Sequence, residues 1–135
     1  MIRFIIISLI SGFIFAVLDG LINANPLALK LMECYKPITK SSINVPAGLI
    51  IDIFYGFVMC GIFLLIYNSL PTESQVVKGI IYGLIIWFFR VLMSVFSTYM
   101  IQQVPAKTLL YILVTGLLEM VIIGLFYGLT IEPIK

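Results

Sequence analysis

LLYILVTGLLEMVIIGLFYGLTI, Leu109–Ile131, decides the fold class. Crossing a bilayer's hydrocarbon core takes about 20 mostly apolar residues as a helix, and this stretch is long enough. Its one ionisable side chain, Glu119, stands near the middle. The apolar residues run on continuously and do not alternate, which excludes a strand of a membrane β-barrel and leaves a spanning α-helix. Three further stretches read the same way: Ile2–Ile22, Ala47–Leu70 and Val77–Ile101. The expected fold is an all-α membrane protein, a four-transmembrane-helix antiparallel bundle.

Composition points to the same solvent. Of 135 residues, 62% are hydrophobic and 10% charged, against about 45–50% and about 25% in soluble domains. A soluble fold of this size could not hide so much apolar surface. Residues 1–135 read as a single integral membrane domain, with no linker, charge block or low-complexity tract set apart. Arg3 and the apolar run after it could open a signal peptide. The run continues to Ile22, however, through Asp19-Gly20 and on to Asn23, with no small-residue cleavage motif, so it reads as a retained first helix.

Turns separate the spans. Pro71, Thr72, Glu73, Ser74 and Gln75 mark one, and Gln102, Gln103 and Pro105 the next. Both are short, which predicts that consecutive helices are antiparallel neighbours. The segment Asn23–Pro46 differs. Asn25-Pro26 is a good helix start, with Asn as N-cap and Pro at the first helical position. Leu27, Leu31 and Tyr35 then share one stripe, and Lys30, Glu33 and Lys36 the other side. This predicts a short interfacial amphipathic helix over about 26–35, between the first two spans, ended by Pro37. Lys40, Ser41, Ser42 and Asn44 form a polar loop, and Pro46 starts the second span. Arg3, Lys78 and Lys135 fall on the side of the termini, and Lys30, Lys36, Lys40 and Lys107 on the other. So even a balance leaves orientation open.

Several function classes drop out. Net charge is +2 and the basic residues are scattered, so no nucleic-acid surface is expected. Histidine is absent, which removes bis-His haem ligation, His-based zinc sites and His acid–base catalysis. Cys34 and Cys60 read as two free thiols, one in a loop and one within a span. No Walker loop, dinucleotide fingerprint, metal-ligand spacing or serine elbow occurs. No catalytic residue, metal or cofactor is assigned.

What stands out is charge inside the spans: Asp19, Asp52, Arg90 and Glu119. Each costs about 2.5–3.5 kcal/mol at a helix centre on insertion scales, so pairing or use must offset them. At a rise of about 1.5 Å per residue, Arg90 and Glu119 lie about one residue from the centres of their spans, at one depth. That predicts a salt bridge between them. Asp19 and Asp52 lie roughly 10 Å off the midplane, also at a shared depth. Each charge sits on a stripe of small or polar residues. The stripes are Ser8, Ser11, Gly12, Ala16, Asp19 and Asn23; Gly48, Asp52, Tyr55, Gly56 and Cys60; Gly79, Gly83, Arg90, Ser94 and Ser97; and Thr108, Thr115 and Glu119. The expected assembly turns all four stripes inward. Three carboxylates then face one guanidinium, so a proton, water or a cation must make up the balance.

A sequence echo joins the last two spans. Gly79-Ile-Ile-Tyr-Gly-Leu84 resembles Gly124-Leu-Phe-Tyr-Gly-Leu129, and each carries a Gly-x-x-x-Gly spacing that lets helix backbones approach closely. The absence of a catalytic set and these packing faces favour a non-catalytic subunit, assembly or immunity-type factor acting through helix–helix contacts. The alternative is a small carrier or binding protein for a cation, proton or small cationic or polar solute. Its candidate binding residues are Asp19, Asp52, Arg90 and Glu119. An enzyme using Asp19 and Asp52 on a lipid headgroup ranks last, for want of a nucleophile or metal ligand. A four-helix bundle is small for a pathway of its own, so a homo-oligomer or a larger membrane partner in the cell membrane is expected. In size and helix count the chain resembles small multidrug-resistance transporters. Those carry a membrane-embedded glutamate in the first helix, where this chain has Ser and Gly, with Asp19 near the far end.

Overall fold

The computed structural model describes residues 1–38 and 45–131. These form helices α1 (Ile2–Ala24), α2 (Pro26–Leu31), α3 (Val45–Ile66), α4 (Gln75–Trp87), α5 (Met93–Ile101) and α6 (Ala106–Thr130). Short 3-10 segments follow α2, at Met32–Ile38, and α3, at Tyr67–Ser69. A π-helical turn, Phe88–Leu92, joins α4 to α5. No strand occurs among the described residues. Four continuous helical stretches are long and apolar enough to cross a membrane: Ile2–Ala24, Pro46–Ser69, Gln75–Ile101 and Ala106–Thr130. The outward faces carry Ile5, Phe13, Ile50, Phe54, Phe89 and Leu118, side chains suited to lipid.

α1 packs chiefly on α3 and α4 on α6, and α1 also meets α6. Glycine makes the close seams possible. A Cβ on Gly12 would lie 2.7 Å from the Ile53 Cα, and one on Gly83 would lie 2.6 Å from the Met120 carbonyl oxygen. Gly79 and Gly124 meet backbone to backbone, so the two echoed Gly-x-x-x-Gly segments pack against each other. Between the two seams sits an aromatic core. The Phe63 ring lies 5.1 Å from Tyr82, 5.6 Å from Tyr67 and 5.8 Å from Tyr127, centroid to centroid.

The Tyr82 and Tyr127 hydroxyls are satisfied, as a low-dielectric interior favours. Tyr82 donates to the Met59 carbonyl at 2.6 Å. The Tyr127 hydroxyl lies 2.9 Å from Ser11 Oγ and 3.2 Å from the Gly56 carbonyl oxygen. Two basic residues cap carbonyl ends at this end of the bundle. Arg3 donates to the Thr130 carbonyl at 2.8 Å, and Lys78 to the Tyr67 carbonyl at 2.8 Å, with its ammonium over the Tyr67 ring. Helix C-termini carry partial negative charge, so cations suit them. Lys78 is buried, which its place at the start of a span does not reveal.

The segment after α1 differs from its sequence reading. Asn25 does act as N-cap, accepting from the Ala28 N–H at 2.8 Å. The α-helix, however, ends at Leu31, and a 3-10 segment runs through Pro37 to Ile38. Ala28 is buried while Leu27 and Leu29 are exposed. α2 touches α6, where the Thr108 hydroxyl donates to the Leu31 carbonyl. The expected polar loop at Lys40, Ser41, Ser42 and Asn44, and the terminal Lys135, lie outside the described residues.

Candidate functional site

α1 starts beside the end of α6, where Arg3 meets Thr130, and finishes beside the start of α6. There the Tyr111 hydroxyl donates to the Ile22 carbonyl at 2.6 Å and the Asn25 amide donates to that hydroxyl at 2.8 Å. This second end holds a cleft of about 200 Å³. Asp19 and Asn23 of α1, Arg90 of the π-turn, Ser94 of α5, and Thr115 and Glu119 of α6 line it. Along α6 it extends from Glu119 to Ile112, about 10 Å at helical rise. Beyond Glu119 the bundle is closed by Phe15, Met120, Ile123 and Tyr127, all buried.

Three of the four sequence-derived candidates therefore face one cleft. The fourth, Asp52, does not line it. The Asp19 carboxyl is within reach of both Asp52 and Glu119, close enough for carboxyl–carboxyl hydrogen bonding. Glu119 is 6% exposed, and its Oε1 has no hydrogen-bond partner. Only Ser8 Oγ shares that condition among the buried side-chain polar atoms described.

Arg90 does not do what its depth predicts. It makes no ion pair with Glu119 or with any other described residue. Its guanidinium carbon instead lies 4.8 Å from the Tyr55 ring centroid and 5.7 Å from that of Phe15, and Nη1 is 3.8 Å from the Met120 sulfur. The reason is the π-turn. Met93 N–H bonds to the Phe88 carbonyl, five residues back, which inserts one residue into the helical phase. Val91, not Arg90, then meets Gly116 on α6, its methyls within 2.9 Å of where a Cβ would stand. The same shift breaks the predicted stripe: Gly79 and Gly83 are buried, but further on Val95 is buried and Ser94 and Ser97 are exposed.

Sequence reasoning missed the ring faces that hold Arg90. Tyr55 was on an inward stripe, and Phe15 lies one turn before Asp19, so both positions were visible and only their partner was not. Trp87 and Tyr111 make cross-helix hydrogen bonds: Trp87 Nε1 donates to the Leu113 carbonyl at 3.0 Å, and the Tyr111 hydroxyl to the Ile22 carbonyl. Cys34 and Cys60 are free thiols, exposed and buried respectively. No protein-family model matches the chain, and neither a curated protein nor a solved structure does.

Proposed function

We propose that the chain is a small membrane carrier or binding protein for a small cationic or polar solute, which it takes up through the carboxylate-lined cleft. The observation that carries this reading is Glu119: a nine-tenths buried carboxyl, with one oxygen unpartnered, on the wall of a cleft. Leaving such a group unsatisfied costs about 1–3 kcal/mol, more when charged, and a ligand that supplies the missing partner recovers it. Asp19 extends the negative wall, and Asn23, Ser94 and Thr115 give a polar approach. In this reading the four spans form an antiparallel bundle in the cell membrane, with the segment from Pro26 lying at the headgroup level and the cleft opening on that side.

The helix-contact reading keeps one specific support. A shallow apolar groove of about 390 Å³ lies between α5 and α6, with Phe96, Tyr99 and Leu110 on its walls. A second copy or a larger membrane partner could use this face while the cleft serves a solute. The test of solute binding uses the full chain in lipid nanodiscs. Methylammonium is expected to raise the unfolding temperature of the wild type and not of Glu119→Gln. A cysteine at Thr115, in a Cys34→Ser background, is expected to react with a membrane-impermeant maleimide. An unlabelled Thr115→Cys together with no solute effect would overturn the proposal.

A further inference from the structure

The cleft carries two unspent groups of opposite sign. Glu119 Oε1 lacks a donor. Arg90 has five N–H donors, and among the described residues their one hydrogen-bond contact is a weak one, to a thioether sulfur at 3.8 Å. The Tyr55 and Phe15 rings attract the guanidinium through its charge. Neither ring offers an acceptor that would consume the planar fork of donors. Both residues line the same space, and they do not pair with each other.

We propose that the cleft binds a small zwitterion of the amino-acid class, its ammonium on Glu119 and Asp19 and its carboxylate on the Arg90 fork. This rests on the solute-binding reading and names its substrate class. A simple cation would satisfy Glu119 but add repulsion to Arg90 and leave the fork empty. A simple anion would satisfy Arg90 and face the carboxylates of Asp19 and Glu119. A divalent metal is poorly served, because among the described residues no three Asp, Glu, Cys or His side chains converge as a metal site needs. A zwitterion meets both walls at once. Guanidinium and carboxylate form two parallel hydrogen bonds, the strongest neutralising geometry available to Arg. The cleft of about 200 Å³ is several times the roughly 30 Å³ that one water occupies, so a ligand the size of glycine or alanine fits in it.

The test compares a zwitterion with its two halves. Glycine, methylammonium and acetate are titrated separately into the full chain in nanodiscs, and binding is read by calorimetry and by the shift in unfolding temperature. Glycine is expected to bind at least about tenfold more tightly than either half, because each half leaves one charged group unpaired. In Arg90→Met, glycine should bind no better than methylammonium. Arg90→Lys, which keeps the charge and loses the fork, should fall between. If methylammonium binds wild type as tightly as glycine, the zwitterion assignment fails and the solute-binding reading survives. If none of the three binds the folded protein, both fail. Should Arg90→Met not fold, the three-ligand comparison on wild type decides alone.

Discussion

Adding one methyl group at the α4–α6 seam should separate the two helices. The Cβ of Gly83→Ala would stand 2.6 Å from the Met120 carbonyl oxygen, where ordinary contact begins near 3.4 Å. The deficit is about 0.8 Å, and the obstacle is backbone, which no rotamer change relieves. A gap of about 0.5–1 Å forfeits a quarter to a half of each dispersion well it opens. Inside a membrane that loss is not made up by the hydrophobic effect, since lipid tails are as apolar as the helices. Overpacking of this kind costs about 1–3 kcal/mol, and Gly83→Ala and Gly124→Ala should each fall in that range. Unfolding in mixed micelles, or steric trapping in bilayers, measures it. Gly61 and Gly20 supply the control, because a Cβ at either meets nothing within 4 Å. Alanine there should be neutral, or stabilise by about 0.5–1 kcal/mol through helix propensity. If Gly83→Ala and Gly61→Ala had the same effect, the seam would not be as close as described and the packing argument would fall with it.

Three further outcomes follow from the surroundings of single side chains. Because Arg90 rests on ring faces and not on a carboxylate, Arg90→Met and Tyr55→Leu should show a coupling of about 0.5–2 kcal/mol in a double-mutant cycle. Glu119→Gln should cost less than the about 3–5 kcal/mol of breaking a buried ion pair, and a loss of that size in unfolding experiments would mean that the pair forms after all. Cys34 should react with a membrane-impermeant maleimide while Cys60, fully buried, reacts only after denaturation. Rapid labelling of Cys60 would show that the small cavity beside it, bounded by Arg3, Phe4 and Ile131, is open to water.

Depth and azimuth were not equally readable in the sequence. Depth depends only on rise per residue, which is nearly constant in any helix. Hence the four spans follow from counting, and the levels expected for Arg90, Glu119, Asp19 and Asp52 rest on the same count. Azimuth depends on an unbroken 3.6-residue phase. In α1 that phase holds, and Ser8, Ser11 and Gly12 are buried as their spacing implies. In the third span one residue is inserted at Phe88–Leu92, and no proline or glycine announces it there. Everything past that point turns by one position, which is why Val95 is buried in the packing and Ser94 is exposed at the cleft. The 3-10 segment after Leu31 was hidden for a related reason: Pro37 ended the expected helix, while the tighter turn accommodates it.

The same inserted residue accounts for the chemistry of the cleft. In an unbroken α-helix, Arg90 would continue the face of Gly79 and Gly83, which the seam turns toward α6. The π-turn gives that face to Val91, which fills the notch at Gly116, and sends Arg90 to Tyr55 and Phe15. The guanidinium is then stabilised by ring faces without spending its donors, and Glu119 keeps an open oxygen. At the opposite end of the bundle the glycine seams and the Arg3 and Lys78 caps leave few polar groups without a partner. Among the described residues, Ser8 Oγ is the one buried side-chain polar atom left unpartnered toward that end, while Glu119 Oε1 is left open at the cleft. The element that brings the guanidinium to that cleft is a five-residue turn with Arg90 at its centre.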